Sequence, residues 1–143
     1  MKHAVMFGAL VIILVLLGAW WTSSSSTSSD SPIVSRNGLH WHPEIEIYIG
    51  GEVQEIPQDL GLTNGHSPIH THADLPIIHL EFGGLVHEED IMLGRFFEVW
   101  EKEFSSTSLL GSEGEVQMFV NGEQNMEYES YVMKDGDKIE LRI

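Results

Sequence analysis

The 143-residue chain has no cysteine, which excludes disulfides, thiolate metal sites and lipid attachment at a lipobox cysteine, and leaves the redox compartment unmarked. Cations are scarce too. Seven Lys and Arg stand against 22 Asp and Glu, for a formal net charge of −15. Such a surface repels phosphate backbones, which need clustered basic residues to displace their counterions, and does not adhere to anionic lipid through charge. The expected partners therefore include no nucleic acid. The chain also lacks a His-Glu-x-x-His helix and a Gly-x-Ser-x-Gly nucleophile elbow, so nothing in it supports a familiar hydrolase. Apolar residues make up 42% of the chain, but they crowd into its first 21 positions and leave enough for one modest core and no second domain.

Long apolar runs are absent except at the start. Residues 4–21 hold no polar side chain and are broken only by Gly8 and Gly18; at about 1.5 Å rise per residue a helix here reaches roughly 27 Å, enough to cross a bilayer. Lys2 and the amino group are the only positive flank, so the positive-inside tendency predicts a single-pass cell-membrane protein with a cytoplasmic N-terminus and an extracytoplasmic C-terminal domain. A cleaved signal peptide is the alternative. Its apolar core is usually about 7 to 15 residues and ends at small residues, whereas this run ends in Trp20-Trp21, which suits a membrane interface, and a retained membrane anchor over residues 1–21 is the expectation. Residues 22–39 read as a Ser/Thr-rich tether that buries nothing. Pro32 and the Asn37-Gly38 turn close it, so an extracytoplasmic α+β domain is expected over residues 40–143, folding from near His40.

Within that domain Glu44-Ile45-Glu46-Ile47-Tyr48-Ile49 alternates with period two, and Gly50-Gly51 leads to a second run over residues 52–56, a hairpin pattern. Residues 57–68 read as a loop and residues 77–82 as a short strand ended by Gly83-Gly84. Leu93, Phe97, Trp100 and Phe104 recur at helical spacing, which predicts a helix over residues 90–104, with Glu88, Glu89 and Asp90 where the N-terminal dipole favours acids. Strands over residues 116–120 and 138–143, with turns at Asn121-Gly122 and Asp135-Gly136, complete the pattern. The economical arrangement is one small mixed β-sheet covered by a single helix.

Histidine placement is the most unusual feature. Seven of the eight histidines are His40, His42, His66, His70, His72, His79 and His87. His40-Trp41-His42 and His70-Thr71-His72 are both His-x-His, and in extended backbone residues two apart project to the same side. His79 in Ile77-Ile78-His79-Leu80-Glu81 supplies a fifth imidazole. Imidazole nitrogen binds zinc and copper well, so His40, His42, His70, His72 and His79 are predicted metal ligands, with Asp74, Glu81 or Glu44 orienting their rings. His66 and His87 are flanking candidates. Met118, Met126 and Met133 are expected in the core rather than as thioether ligands, so an all-imidazole Cu(II) or Zn(II) site is favoured over a cuprous one. The competing readings are histidines that only satisfy backbone groups and a surface cluster that titrates as a pH sensor.

The closing Met133-Lys134-Asp135-Gly136-Asp137-Lys138-Ile139-Glu140-Leu141-Arg142-Ile143 is similar to the last strand of ubiquitin-like sulfur carriers. That resemblance implies a β-grasp-like fold and no more, because the Gly-Gly tail on which the carriers depend is not in this sequence. His40-Trp41-His42, Ile47-Tyr48-Ile49-Gly50-Gly51, Ile56-Pro57, His70-Thr71-His72, Ile77-Ile78-His79-Leu80-Glu81, Leu93-Gly94-Arg95-Phe96-Phe97-Glu98-Val99-Trp100 and Val120-Asn121-Gly122 together resemble an uncharacterised group of N-terminally anchored, His-rich bacterial and archaeal extracytoplasmic proteins. In that group an Asp usually follows His-Thr-His; here Ala73 stands there and Asp74 comes one later. The resemblance implies an anchor, a head outside the membrane and recurrent histidines, without an activity. The function expected is extracytoplasmic copper or zinc binding, with a membrane or periplasmic/extracellular protein as possible partner. A protein-interaction module with structural histidines is the alternative, and a metal-dependent enzyme a third reading.

Overall fold

The alternating run predicted as a strand forms β3 (Glu44–Ile49) in the computed structural model, which describes residues 31–63 and 65–143. The anchor over residues 1–21, and the tether as far as residue 30, lie outside the described residues. Among the described residues no helix is long and apolar enough to cross a membrane. Ser31–Ile143 forms one compact unit, a small α+β domain built mostly of sheet with one α-helix.

In the five-stranded sheet the order is β11 (Glu123–Asn125), β10 (Gln117–Val120), β12 (Lys138–Arg142), β3 and β4 (Glu52–Val53). Its centre is the parallel pair β3 and β12, where Ile45 faces Ile139 and Ile47 faces Leu141. Those four side chains are buried, as is Met118 opposite Leu141 on β10. The outward positions of β3 carry Glu44, Glu46 and Tyr48, so the period-two alternation fixes which face is core.

The helix α1 (Leu93–Trp100) buries Leu93, Phe96, Phe97 and Trp100 in the same apolar cluster as the sheet. It is shorter than the stripe predicts. Residues 88–91 instead form a 3-10 turn in which Asp90 accepts the backbone N–H of His87 at 2.8 Å. At the other end Glu101 takes a left-handed conformation, and Lys102 N–H reaches back to the Phe97 carbonyl at 3.0 Å, a helix stop normally left to glycine. Phe104 leaves the helix yet keeps its contact, stacking on Phe97 with ring centroids 4.5 Å apart.

Two expectations are corrected here. A single mixed sheet was expected, but the histidine strands make their own three-stranded antiparallel sheet, in the order β2 (Leu39–Trp41), β6 (His79–Phe82), β5 (Ile69–His70). Folding was expected from near His40, but β1 (Ile33–Ser35) already pairs with β7 (Val86–His87). The Asn37-Gly38 turn joins β1 to β2 rather than ending a tether: Gly38 has φ +84°, and a Cβ there would collide with the Phe82 carbonyl. A two-stranded hairpin of β8 (Ser108–Leu109) and β9 (Ser112–Glu113) completes the domain. Of residues 52–56 only Glu52–Val53 pairs, while Ile56 is buried beyond the strand.

Candidate metal centre

The site is built around β6, the middle strand of the histidine sheet. Ile78 and Leu80 point into the core and are fully buried, so His79 and Glu81 must project from the opposite face. Across the ladder His79 lies opposite His70 on β5, and Glu81 lies opposite His40 on β2. His42 and His72 follow β2 and β5 by one and two residues and continue the same alternation. The two His-x-His motifs therefore flank His79 from either side.

The rings converge. Centroids of His42 and His79 are 4.9 Å apart, of His72 and His79 4.8 Å, of His70 and His79 5.4 Å, of His70 and His72 4.9 Å, and of His40 and His42 4.6 Å. All five predicted residues are brought together, as two triads that share His79 rather than as one five-membered set. One is His40, His42 and His79, the other His70, His72 and His79, and in each the rings present nitrogens within 4.8 Å of one another. Either group could hold a metal ion; bonds near 2 Å to a common centre place donor atoms roughly 3–4 Å apart, so the rings would close inward on the ion.

Neighbouring acceptors fix which nitrogens are free. His70 Nδ1 donates to the Ser67 carbonyl at 3.0 Å, which leaves the lone pair on Nε2. His79 Nε2 donates to both oxygens of Asp74, at 3.1 and 3.2 Å, which leaves the lone pair on Nδ1. A carbonyl and a carboxylate can only accept, so in each case the proton sits on the nitrogen facing them. Those two lone-pair nitrogens, His70 Nε2 and His79 Nδ1, are buried and have no hydrogen-bond partner among the described residues. Burial holds the His70 ring below its ordinary pKa, against the opposing effect of the Ser67 carbonyl, and so favours the neutral, ligating form. The hydrogen bond from His79 keeps the Asp74 carboxyl below the usual range, so it stays an ionised acceptor.

The remaining contacts frame the cluster. The Glu81 carboxylate lies 2.9 Å from His40 Nε2. Asp135, 93 residues further along the chain, accepts the backbone N–H of His42 at 2.8 Å. Thr71, between the two histidines of its motif, is fully buried; its hydroxyl accepts from Leu60 N–H at 3.1 Å and donates to the Pro57 carbonyl at 2.9 Å. That pair of bonds ties residues 57–68 against β5. Sequence reasoning missed Ser67, which acts through a backbone carbonyl and leaves no side-chain signature, and Asp135, which had registered only as part of a turn.

The flanking candidates diverge. His66 is exposed with its ring 5.4 Å from His70, at the rim of the second triad. His87 stands outside both triads, caps the 3-10 turn and lies 3.7 Å from Asp90. Glu44, offered as an orienting acid, instead faces Lys138 at 3.9 Å. Met118 and Met133 are buried as expected, but Met126 is 66% exposed and is not a core residue; it follows β11 on the outer edge of the five-stranded sheet. No protein-family model matches the chain, and neither a curated protein nor a solved structure matches it.

Proposed function

We propose that this is a membrane-anchored extracytoplasmic metal-binding protein whose cargo is Cu(II) or Zn(II), held by His40, His42, His70, His72 and His79. The observation that carries this reading is the pair of buried, unpartnered lone pairs on His70 Nε2 and His79 Nδ1. A buried acceptor with nothing to accept costs about 1–3 kcal/mol. Two such nitrogens in neighbouring rings, each oriented by an acceptor on its far side, match the carboxylate–histidine–metal pattern. Nitrogen-only donors suit Zn(II) and Cu(II) better than the oxygen-seeking Mg(II) or Ca(II). The net charge of −15 would concentrate cations near the site.

The anchor and the extracytoplasmic location rest on residues 1–21 and their flanks. The β-grasp reading is supported by the parallel β3–β12 pair flanked by two hairpins, β3–β4 and β10–β11. The decisive experiment is metal analysis of the purified full chain after exposure to Zn(II) or Cu(II) and desalting. About one equivalent should be retained by the wild type and lost in His79→Ala. A wild-type chain that retains neither ion, and whose melting is unmoved by both, would leave the histidines as structural residues.

A further inference from the structure

The two triads differ in access. In the first, the side chains of His40 and His42 are 62% and 40% exposed. In the second, His70 is 1% exposed and His72 half-buried, so the difference lies chiefly between His40 and His70. His79 lies between them with 11% of its side chain exposed, its ring close to His42 on one side and His72 on the other.

A neutral imidazole carries one lone pair. Because Nε2–H of His79 is donated to Asp74, only Nδ1 is free to bind, and it serves one ion at a time. Filling both triads together would require stripping the second proton from the ring and breaking the Asp74 bond. Given the metal-binding reading above, on which this step rests, we infer that the triads are successive positions for a single divalent transition-metal ion. His40 and His42 take it from solvent, and ligand exchange about His79 passes it to His70 and His72, where it is held.

The exchange balances without redox or proton transfer. Lone pairs of His72 and His70 add to the ion as those of His42 and His40 leave, and His79 stays bound throughout. Carboxylates stand at the entry: Glu81 and Asp135 lie beside His40 and His42, where they attract the ion, while Asp74 orients the shared His79 and the uncharged Ser67 carbonyl orients the buried His70.

The test is Zn(II) uptake by the full chain, followed by stopped flow against a chromogenic zinc chelator and paired with equilibrium competition. One Zn(II) should bind at saturation. The double variant His40→Ala/His42→Ala should slow uptake by roughly tenfold and lower affinity by less than His72→Ala does, since release loses the same gateway. His72→Ala should instead keep rapid uptake and lose affinity by roughly tenfold or more. His70→Gln, which retains most of the ring's volume, repeats the second arm should His72→Ala melt early. Two Zn(II) per chain would overturn the hand-over. So would an affinity loss in the outer double variant equal to that of His72→Ala with uptake unchanged. A wild-type chain that takes up no Zn(II) would remove the metal-binding reading and this inference together, which separates the two failures.

Discussion

At the residue scale the histidine cluster depends on groups that are not themselves among its candidate ligands. Asp74 is the clearest case. Its carboxylate reaches His79 with both oxygens. This acceptor holds the proton on Nε2 and so locks the tautomer, leaving Nδ1 free. Asp74→Asn keeps the shape and an accepting oxygen but removes the charge. With 49% of the side chain exposed, the fold should tolerate the change, and melting without metal should stay near wild type. Zn(II) affinity, measured by chelator competition, is expected to fall by about 10- to 100-fold. An affinity within twofold of wild type would mean that Asp74 does not position the ring.

At the element scale, what could be read in the sequence and what could not divide along physical lines. The His-x-His spacing was legible because a strand repeats every two residues, so two motifs and a strand histidine place their rings on a common face wherever the strands happen to pair. Likewise Leu93, Phe97 and Trp100 announced α1, and Ile45 and Ile47 the core face of β3. The separation of the histidine sheet from the five-stranded sheet was not legible. β5 and β7 have two residues each, too few to carry any period, and their pairing is decided by contacts distant in sequence. The helix end was missed because Glu101 adopts a left-handed conformation that its residue type disfavours. The loop before β5 was legible only as turn residues, yet one of them sets the site. Gly61 has φ +76°, its carbonyl accepts Ser67 N–H at 2.8 Å, and a Cβ there would stand 2.5 Å from the Ile69 carbonyl and 3.0 Å from Ser67 Cβ. Gly61→Ala should therefore push β5 off β6, carry Ser67 and His70 with it, and cost about 2 kcal/mol or more in stability. Gly84→Ala, at φ +82° with open space around it, bears the same backbone strain without the collision. Chemical unfolding should rank Gly61→Ala well below Gly84→Ala, and only the former should weaken Zn(II) binding; equal losses in the pair would show that backbone strain alone is at work.

At the scale of the whole molecule, stability should respond to alkali through a network remote in sequence from the histidines. Asp137, 5% exposed, closes the turn into β12. It accepts from Tyr131 Oη at 2.7 Å, Lys134 N–H at 2.8 Å and Asn121 Nδ2 at 3.0 Å. Burial, and then the hydrogen bond to the Asp137 carboxylate, push the Tyr131 hydroxyl well above its ordinary pKa of 10. An unfolded tyrosine ionises near 10, whereas the folded one resists, so the folded state binds the extra proton. Stability from this group is therefore complete below about pH 10 and declines as pH rises further. Tyr131→Phe should lower stability at neutral pH by about 1–2 kcal/mol, since Asp137 keeps its other two donors. In exchange it should flatten the loss between pH 10 and 12. Some slope should survive, because the Tyr48 hydroxyl donates to Glu46 and is shifted in the same direction. The measurement is urea unfolding of both proteins across that range; parallel declines would remove Tyr131 as the alkaline weak point of the fold, because a phenylalanine has no proton to lose.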